Sequence, residues 1–139
     1  MNRLATSIDD LTSRYDSDIR EFPKRFYEGS AQKSPLLQAF ADNLRGMFKF
    51  YDPIIASSIV LSGLAFVDGC LMEIRPEYQN MPQTDGGERW AQYFRIRNGI
   101  ADAYAYFTFP QTLCPDVSSF LQVTPDFGEF ICVENDLLS

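Results

Sequence analysis

Apolar residues recur at steps of three and four along most of the chain, which predicts helices rather than strands. The spacing is clearest in one run: Leu36, Leu37, Phe40, Leu44, Met47, Phe48 and Tyr51. Just before this run, Ser34-Pro35 pairs a capping oxygen with a proline, which is typical of a helix start. Asp52-Pro53 and Thr124-Pro125 repeat that signal. Since no segment shows sustained period-two alternation, the sequence predicts an all-α fold.

The segment after Asp52-Pro53 is the most apolar part of the chain. The 14 residues from Ile54 to Val67 carry no charge and include three serines. A membrane helix needs about 18 or more consecutive apolar residues. We therefore predict a helix buried on most of its sides, and no membrane span.

The remaining elements follow from spacing and from prolines and glycines. A helix is predicted over Asp18–Tyr27, where Pro23 introduces a kink, and a loop over Arg75–Gly87. Helical spacing resumes at Trp90 and runs towards Tyr104, and the last helix starts at Pro125. We interpret residues 1–139 as a single domain that is incomplete at both ends, because the last helix is unfinished at Ser139.

Composition narrows the chemistry. The net charge is −7, with 12 basic and 19 acidic residues, which disfavours nucleic-acid binding. The absence of histidine, together with three widely spaced cysteines, excludes Cys/His zinc sites and histidine-dependent catalysis. Any metal would take oxygen ligands, which favours Mg²⁺ or Ca²⁺. The start of the chain has no apolar signal segment, so we expect a cytoplasmic protein.

Two oxygen-rich clusters are candidates for such a metal. The first is Asp9-Asp10, just after the apolar Ile8. In the second, Asn135 and Ser139 stand one turn apart on a helix, so that their oxygens share one face. Each cluster alone is more often a solvated surface feature than a metal site.

Taken together, the two clusters resemble the metal-binding motifs of the class I terpene cyclases, and most closely those of the fungal trichodiene synthase family. The segment Phe66–Glu73 looks like that family's "FEGCWIE" segment, and Tyr93–Gly99 looks like its helix with the diphosphate-sensing arginine. The final run Glu134–Ser139 looks like the start of its second metal motif. The resemblance implies a partial antiparallel helical bundle of the class I terpenoid synthase fold.

The resemblance implies a metal site built from both ends of the chain. Asp9 and Asp10 match the aspartate-rich motif, although Ser13 stands where that motif has a further acid. Asn135 and Ser139 match the first two ligands of the second motif, whose glutamate is absent. These residues would bind Mg²⁺, and Asp9 would face Asn135 across one cavity mouth.

The resemblance also implies three catalytic residues and a substrate. Arg95 matches the arginine that binds the substrate diphosphate, and Asn98 and Gly99 match the positions where the helix is broken. The implied reaction is Mg²⁺-dependent ionisation and cyclisation of farnesyl diphosphate with release of diphosphate. Full-length family members would be homodimers, a further implication of the resemblance.

Aromatic rings make up 20 of the 139 residues. A carbocation needs a dry pocket of ring faces. The candidates for its walls are Phe48, Phe66, Tyr93, Phe94 and Tyr106, although each such ring is more often part of a core. Two alternatives stay open: a non-catalytic truncated remnant or helical interaction fragment, and a chain-elongating prenyl synthase. The second is disfavoured because such enzymes use two aspartate-rich motifs, whereas here the second motif begins with Asn135.

Overall fold

Seven α-helices make up most of the described part of the chain. The computed structural model describes Ala5, Ile8 and residues 16–138. The helices are α1 (Asp16–Glu28), α2 (Pro35–Gly46), α3 (Pro53–Glu73), α4 (Pro76–Gln79), α5 (Trp90–Asn98), α6 (Ala101–Phe107) and α7 (Thr124–Leu138). Within these residues there is no strand, which confirms the all-α fold.

Two of the three predicted helix starts are confirmed. The Ser34 hydroxyl accepts a hydrogen bond from the Leu37 amide at 3.3 Å. The Asp52 carboxylate accepts one from the Ile54 amide at 2.8 Å. Both caps satisfy amides that the first helical turn leaves without partners.

The third predicted cap is wrong, because Thr124 is itself helical. Its backbone has φ −64° and ψ −35°, whereas a capping residue is normally extended. The 3₁₀ turn Leu121–Val123 leads directly into α7. The Thr124 hydroxyl therefore donates back to the Leu121 carbonyl at 2.8 Å.

Helix α3 forms the centre of the core. By its length and composition this helix could cross a membrane, but the core helices of other proteins can be equally long and apolar. Of its most apolar 18-residue stretch, 56% is buried. It packs against α1, α2, α5 and α6. Gly63 allows close approach to α2, since a Cβ there would lie 2.6 Å from a methyl carbon of Leu44. The prediction of a buried helix is confirmed.

The chain after α3 differs from prediction in two details. The loop over 75–87 begins with the single helical turn α4. The stretch after Trp90, which the apolar spacing alone predicts as one helix, is divided into α5 and α6. Pro23 lies within α1, which is continuous around it. Helix α7 then packs along α6 and, through fewer contacts, against α5.

Candidate functional site

The break between α5 and α6 confirms the interruption that the resemblance implies. Ile100 adopts the left-handed conformation with φ 50°, which costs a branched residue about 1–3 kcal/mol. Its side chain is only 2% exposed, so burial offsets that cost. The strained residue is thus Ile100, whereas Gly99 has an ordinary φ of −79°.

Gly99 is required for space instead. A Cβ at this position would lie 2.6 Å from Nη1 of Arg95 and 2.8 Å from the Arg95 carbonyl oxygen. It would also meet Sγ of Cys132 at 3.5 Å. The Arg95 side chain therefore passes over Gly99 to reach α7.

Arg95 joins α5 to the last turns of α7. Its Nε donates to Oδ1 of Asp136 at 2.8 Å, and Nη2 donates to the same oxygen. Nη2 also donates to the Cys132 carbonyl at 3.5 Å. The guanidinium lowers the pKa of the Asp136 carboxyl, and the carboxylate raises the pKa of Arg95. Because Asp136 follows Asn135, the structure brings the predicted sensor arginine beside the second predicted metal motif.

Arg97, two residues further on, faces α3. Its Nη2 donates to Asp68 at 3.1 Å and its Nη1 to the Tyr93 hydroxyl at 3.0 Å. The guanidinium carbon lies 5.7 Å from the centre of the Tyr93 ring. Residues two apart on a helix do not share a face, so the two arginines bind different helices.

A cleft of about 360 Å³ opens between α3, α5 and α6. This volume lies within the range of about 300–1,000 Å³ found for small-molecule sites. Its lining is mostly apolar or aromatic, with two serines, one acid and one arginine: Ser58, Leu61, Ser62, Ala65, Tyr93, Ile96, Arg97, Asp102 and Tyr106. Loss of water contacts raises the pKa of the Asp102 carboxyl.

Of the five predicted aromatic walls, Tyr93 and Tyr106 line this cleft. The other three lie elsewhere. Phe66 is 3% exposed and packs edge-on against Phe40 in the core. Phe94 stacks on Trp90 with ring centres 5.6 Å apart, and Phe48 is exposed. These three rings therefore do not line this cleft, and periodicity alone cannot tell a core ring from a cavity ring.

The predicted metal site is only partly described. Asp9, Asp10 and Ser139 lie outside the described residues, so their positions and the distance from Asp9 to Asn135 remain predictions. Asn135 lies in the last turn of α7 with its side chain exposed. Within the described residues no three Asp, Glu or Cys side chains form a cluster. The oxygen of Asn135 is the kind of ligand that Mg²⁺ accepts, and the guanidinium that binds the next residue, Asp136, suits an anion that shares such an ion.

The sequence did not indicate that three acids at the site bind the predicted functional residues or their neighbours. Asp68 binds Arg97, Asp136 binds Arg95, and Glu73 accepts a hydrogen bond from the Asn98 amide. All three lie within the segments that carry the family resemblance. Their pairings span 25 to 41 residues, so helical spacing could not reveal them.

A model of the trichodiene synthase family matches residues 3–139. Terpene synthase BipA of Cochliobolus sativus is 41% identical over 136 residues, covering 98% of this chain and 42% of the relative. Longiborneol synthase CLM1 of Gibberella zeae is 34% identical over 139 residues, covering 98% of this chain and 41% of the relative.

A third relative, the (E)-beta farnesene synthase of Metarhizium brunneum, is 29% identical over 139 residues. Again 98% of this chain and 42% of the relative are covered. The chain thus spans about two fifths of the length of these curated relatives. Because the family model covers nearly every residue, including those at the helix break and in the second predicted metal motif, the chain belongs to the trichodiene synthase family.

Proposed function

We propose that this chain is the part of a sesquiterpene synthase that binds the diphosphate group of farnesyl diphosphate and forms one wall of the hydrocarbon pocket. The observation that carries the proposal is the contact between α5 and α7. In this contact Arg95 binds Asp136, the residue that follows Asn135, although 41 residues separate Arg95 from Asp136 in sequence. Membership of the family supports the reaction, ionisation of the substrate followed by cyclisation.

Arg95 is suited to binding the diphosphate group as it leaves the substrate. A guanidinium offers a planar set of donors that can pair with two phosphate oxygens. One edge of Arg95 is held by Asp136, and the side chain remains 33% exposed. Positive charge at this position stabilises the diphosphate as its bond to the allylic carbon breaks.

Asn135 would hold Mg²⁺ together with Asp9, Asp10 and Ser139. When bound, Mg²⁺ would supply charge that neutralises the leaving diphosphate. The described chain offers one neutral amide oxygen for this purpose, and the negative ligands would be the two aspartates and the substrate itself. Magnesium is normally held through carboxylates and phosphates, so we expect weak metal binding without substrate.

The cleft beside the break is suited to the hydrocarbon part of the substrate. Leu61, Ala65 and Ile96 supply apolar surface, while Tyr93 and Tyr106 supply rings. Ring faces attract cations without forming bonds to them. We place a carbocation intermediate against these rings. We further propose that the protein acts in the cytoplasm and that the full-length protein is a homodimer.

The experiment is an exchange of segments. Residues 3–139 replace the matching segment of the Cochliobolus sativus relative, and the hybrid is incubated with farnesyl diphosphate and Mg²⁺ before its volatile products are analysed. We expect a cyclic sesquiterpene from the hybrid and at least a tenfold loss in its Asp9→Ala variant. The 139-residue chain alone should form none, because Asn135 and Ser139 offer Mg²⁺ only neutral oxygens.

A folded hybrid without products would contradict the proposal and favour the alternative of a non-catalytic remnant or helical interaction fragment. A linear prenyl diphosphate of greater chain length would favour the prenyl synthase alternative instead. The unmodified relative serves as the control for active protein.

A further inference from the structure

We propose that Glu73 is a positioning residue that acts through Asn98 to fix the helix break carrying Arg95. The inference deepens the proposed function and rests on it for the role of Arg95. It assigns a task to an acid on α3 that accepts a hydrogen bond from Asn98 of α5. The contacts between α3 and the end of α5 support it in three steps.

The first step is the close approach of the two helices. Gly69 of α3 is buried, and a Cβ built on it would lie 2.9 Å from Cβ of Asn98. The same Cβ would lie 3.0 Å from Cα and 3.2 Å from the backbone nitrogen of Asn98. The backbone of Asn98 therefore lies directly against α3, one residue before Gly99.

The second step is the hydrogen bond that sets the Asn98 side chain. Nδ2 of Asn98 donates to Oε1 of Glu73, one helical turn after Gly69. The opposite amide atom, Oδ1, is buried and has no hydrogen-bond partner among the described residues. Turning the amide over would bring Oδ1 against the Glu73 carboxylate, which is unfavourable. The carboxylate thus decides the orientation of this side chain.

The third step connects Asn98 to Arg95. The two residues lie three positions apart, on neighbouring turns of α5. Arg95 passes over Gly99 with no room for a Cβ, so a small displacement of the break moves the guanidinium. Asp136 is the main cause of the raised pKa of Arg95, and the charge of Glu73 adds a smaller contribution in the same direction.

These contacts hold the α3 side of the break. Arg97 adds an ion pair to Asp68, also on α3. The Arg95 side chain reaches α7 instead, where it binds Asp136. We therefore expect that loss of the Glu73 contact displaces the Arg95 side chain while the protein stays folded.

The test measures Arg95 directly in the 139-residue chain. In a ¹H–¹⁵N spectrum the Nε–H of Arg95 gives a signal that Asp136 protects from exchange, assigned by its loss in Arg95→Lys. We expect Glu73→Ala to shift this signal or broaden it away. Glu73→Gln should retain it, because the glutamine amide still offers Asn98 an oxygen. Glu77→Ala, on α4, is the matched control and should leave it unchanged.

A second variant separates positioning from folding. Asn98→Ala leaves Glu73 in place but removes the donor, so it should produce the same change at Arg95. Should Glu73→Ala fail to fold, the comparison of Asn98→Ala with Glu77→Ala still decides the matter. An unchanged Arg95 signal in folded Glu73→Ala or Asn98→Ala would overturn the inference.

Ligand binding provides the readout that a merely structural role would not move. With inorganic pyrophosphate and Mg²⁺ as the probe, Glu73→Ala should weaken binding about tenfold, and should have no further effect in an Arg95→Ala background. If Glu73→Ala weakened pyrophosphate binding equally with Arg95 present and with Arg95→Ala, Glu73 would not act through Arg95. If the unmodified chain binds no pyrophosphate, the proposed function fails, while the Arg95 signal still decides the role of Glu73.

Discussion

Helix α5 makes two junctions that differ in strength and in purpose. Towards α3, the backbone of Asn98 lies against Gly69, and Arg97 and the Asn98 side chain each bind an acid. Towards α7, Arg95 makes one ion pair with Asp136, whose side chain is 58% exposed. The first junction combines packing with polar contacts, whereas the second is mainly a charge pair at the surface.

The difference bears on how the proposed diphosphate site would form at the break. Exposed ion pairs contribute little to stability, so Arg95 can exchange part of its contact with Asp136 for a phosphate group at little cost. The α3 junction would hold the backbone in place during that exchange. Rigid support on one side and a replaceable partner on the other are typical of a preorganised anion site.

The largest effect on stability is expected on the α3 side. Gly69→Ala places a Cβ within 3.2 Å of three atoms of Asn98, two of them in the backbone. Because backbone cannot move aside, unfolding in urea should show a loss of about 1–3 kcal/mol. Gly46→Ala is the control, since nothing lies within 4 Å of its Cβ. A loss at Gly46 equal to that at Gly69 would contradict the close approach.

A smaller effect on stability is expected on the α7 side. Gly99→Ala meets the flexible end of the Arg95 side chain at 2.6 Å and one backbone atom, the Arg95 carbonyl oxygen, at 2.8 Å, whereas Gly69→Ala meets two backbone atoms. We expect a cost of about 1 kcal/mol, accompanied by loss of the protected Arg95 Nε–H signal. A retained signal would show that Arg95 does not need the space above Gly99.

The smallest expected effect is that of acid on stability, because two carboxyl groups have pKa values shifted in opposite directions. Arg95 lowers the pKa of Asp136, so the charge pair is intact at neutral pH and is lost only as pH falls below the ordinary carboxyl value. Partial desolvation raises the pKa of Asp102, which therefore takes up its proton first and with slight stabilisation. Carbon-detected NMR titration of both carboxyl groups checks the order; protonation of Asp136 first would contradict it.

Much of the fold follows from the sequence because its signals are local. Helix starts at Ser34 and Asp52 and the apolar run of α3 depend on neighbouring residues alone. Thr124 misled the prediction because a preceding 3₁₀ turn took the place of the extended cap.

The site was less predictable, since its contacts join distant segments. Resemblance indicated Arg95 and Asn135, but the spacing of residues could not show that Asp136 would bind Arg95 or that Glu73 would bind Asn98. The position of the strained backbone was also unexpected. Pattern reasoning favours glycine for a left-handed residue, yet Ile100 adopts that conformation and Gly99 supplies space.

The central claim is that Arg95 and the end of α7 form one diphosphate site. Calorimetric titration of the 139-residue chain with pyrophosphate, with and without Mg²⁺, tests it most directly when Arg95→Lys is compared with Arg97→Lys. We predict Mg²⁺-dependent binding that weakens about tenfold or more in Arg95→Lys, because lysine keeps the charge but loses the planar pair of donors. Arg97→Lys should bind as the unmodified chain does, since lysine can still pair with Asp68. Equal affinities in all three proteins would contradict the account.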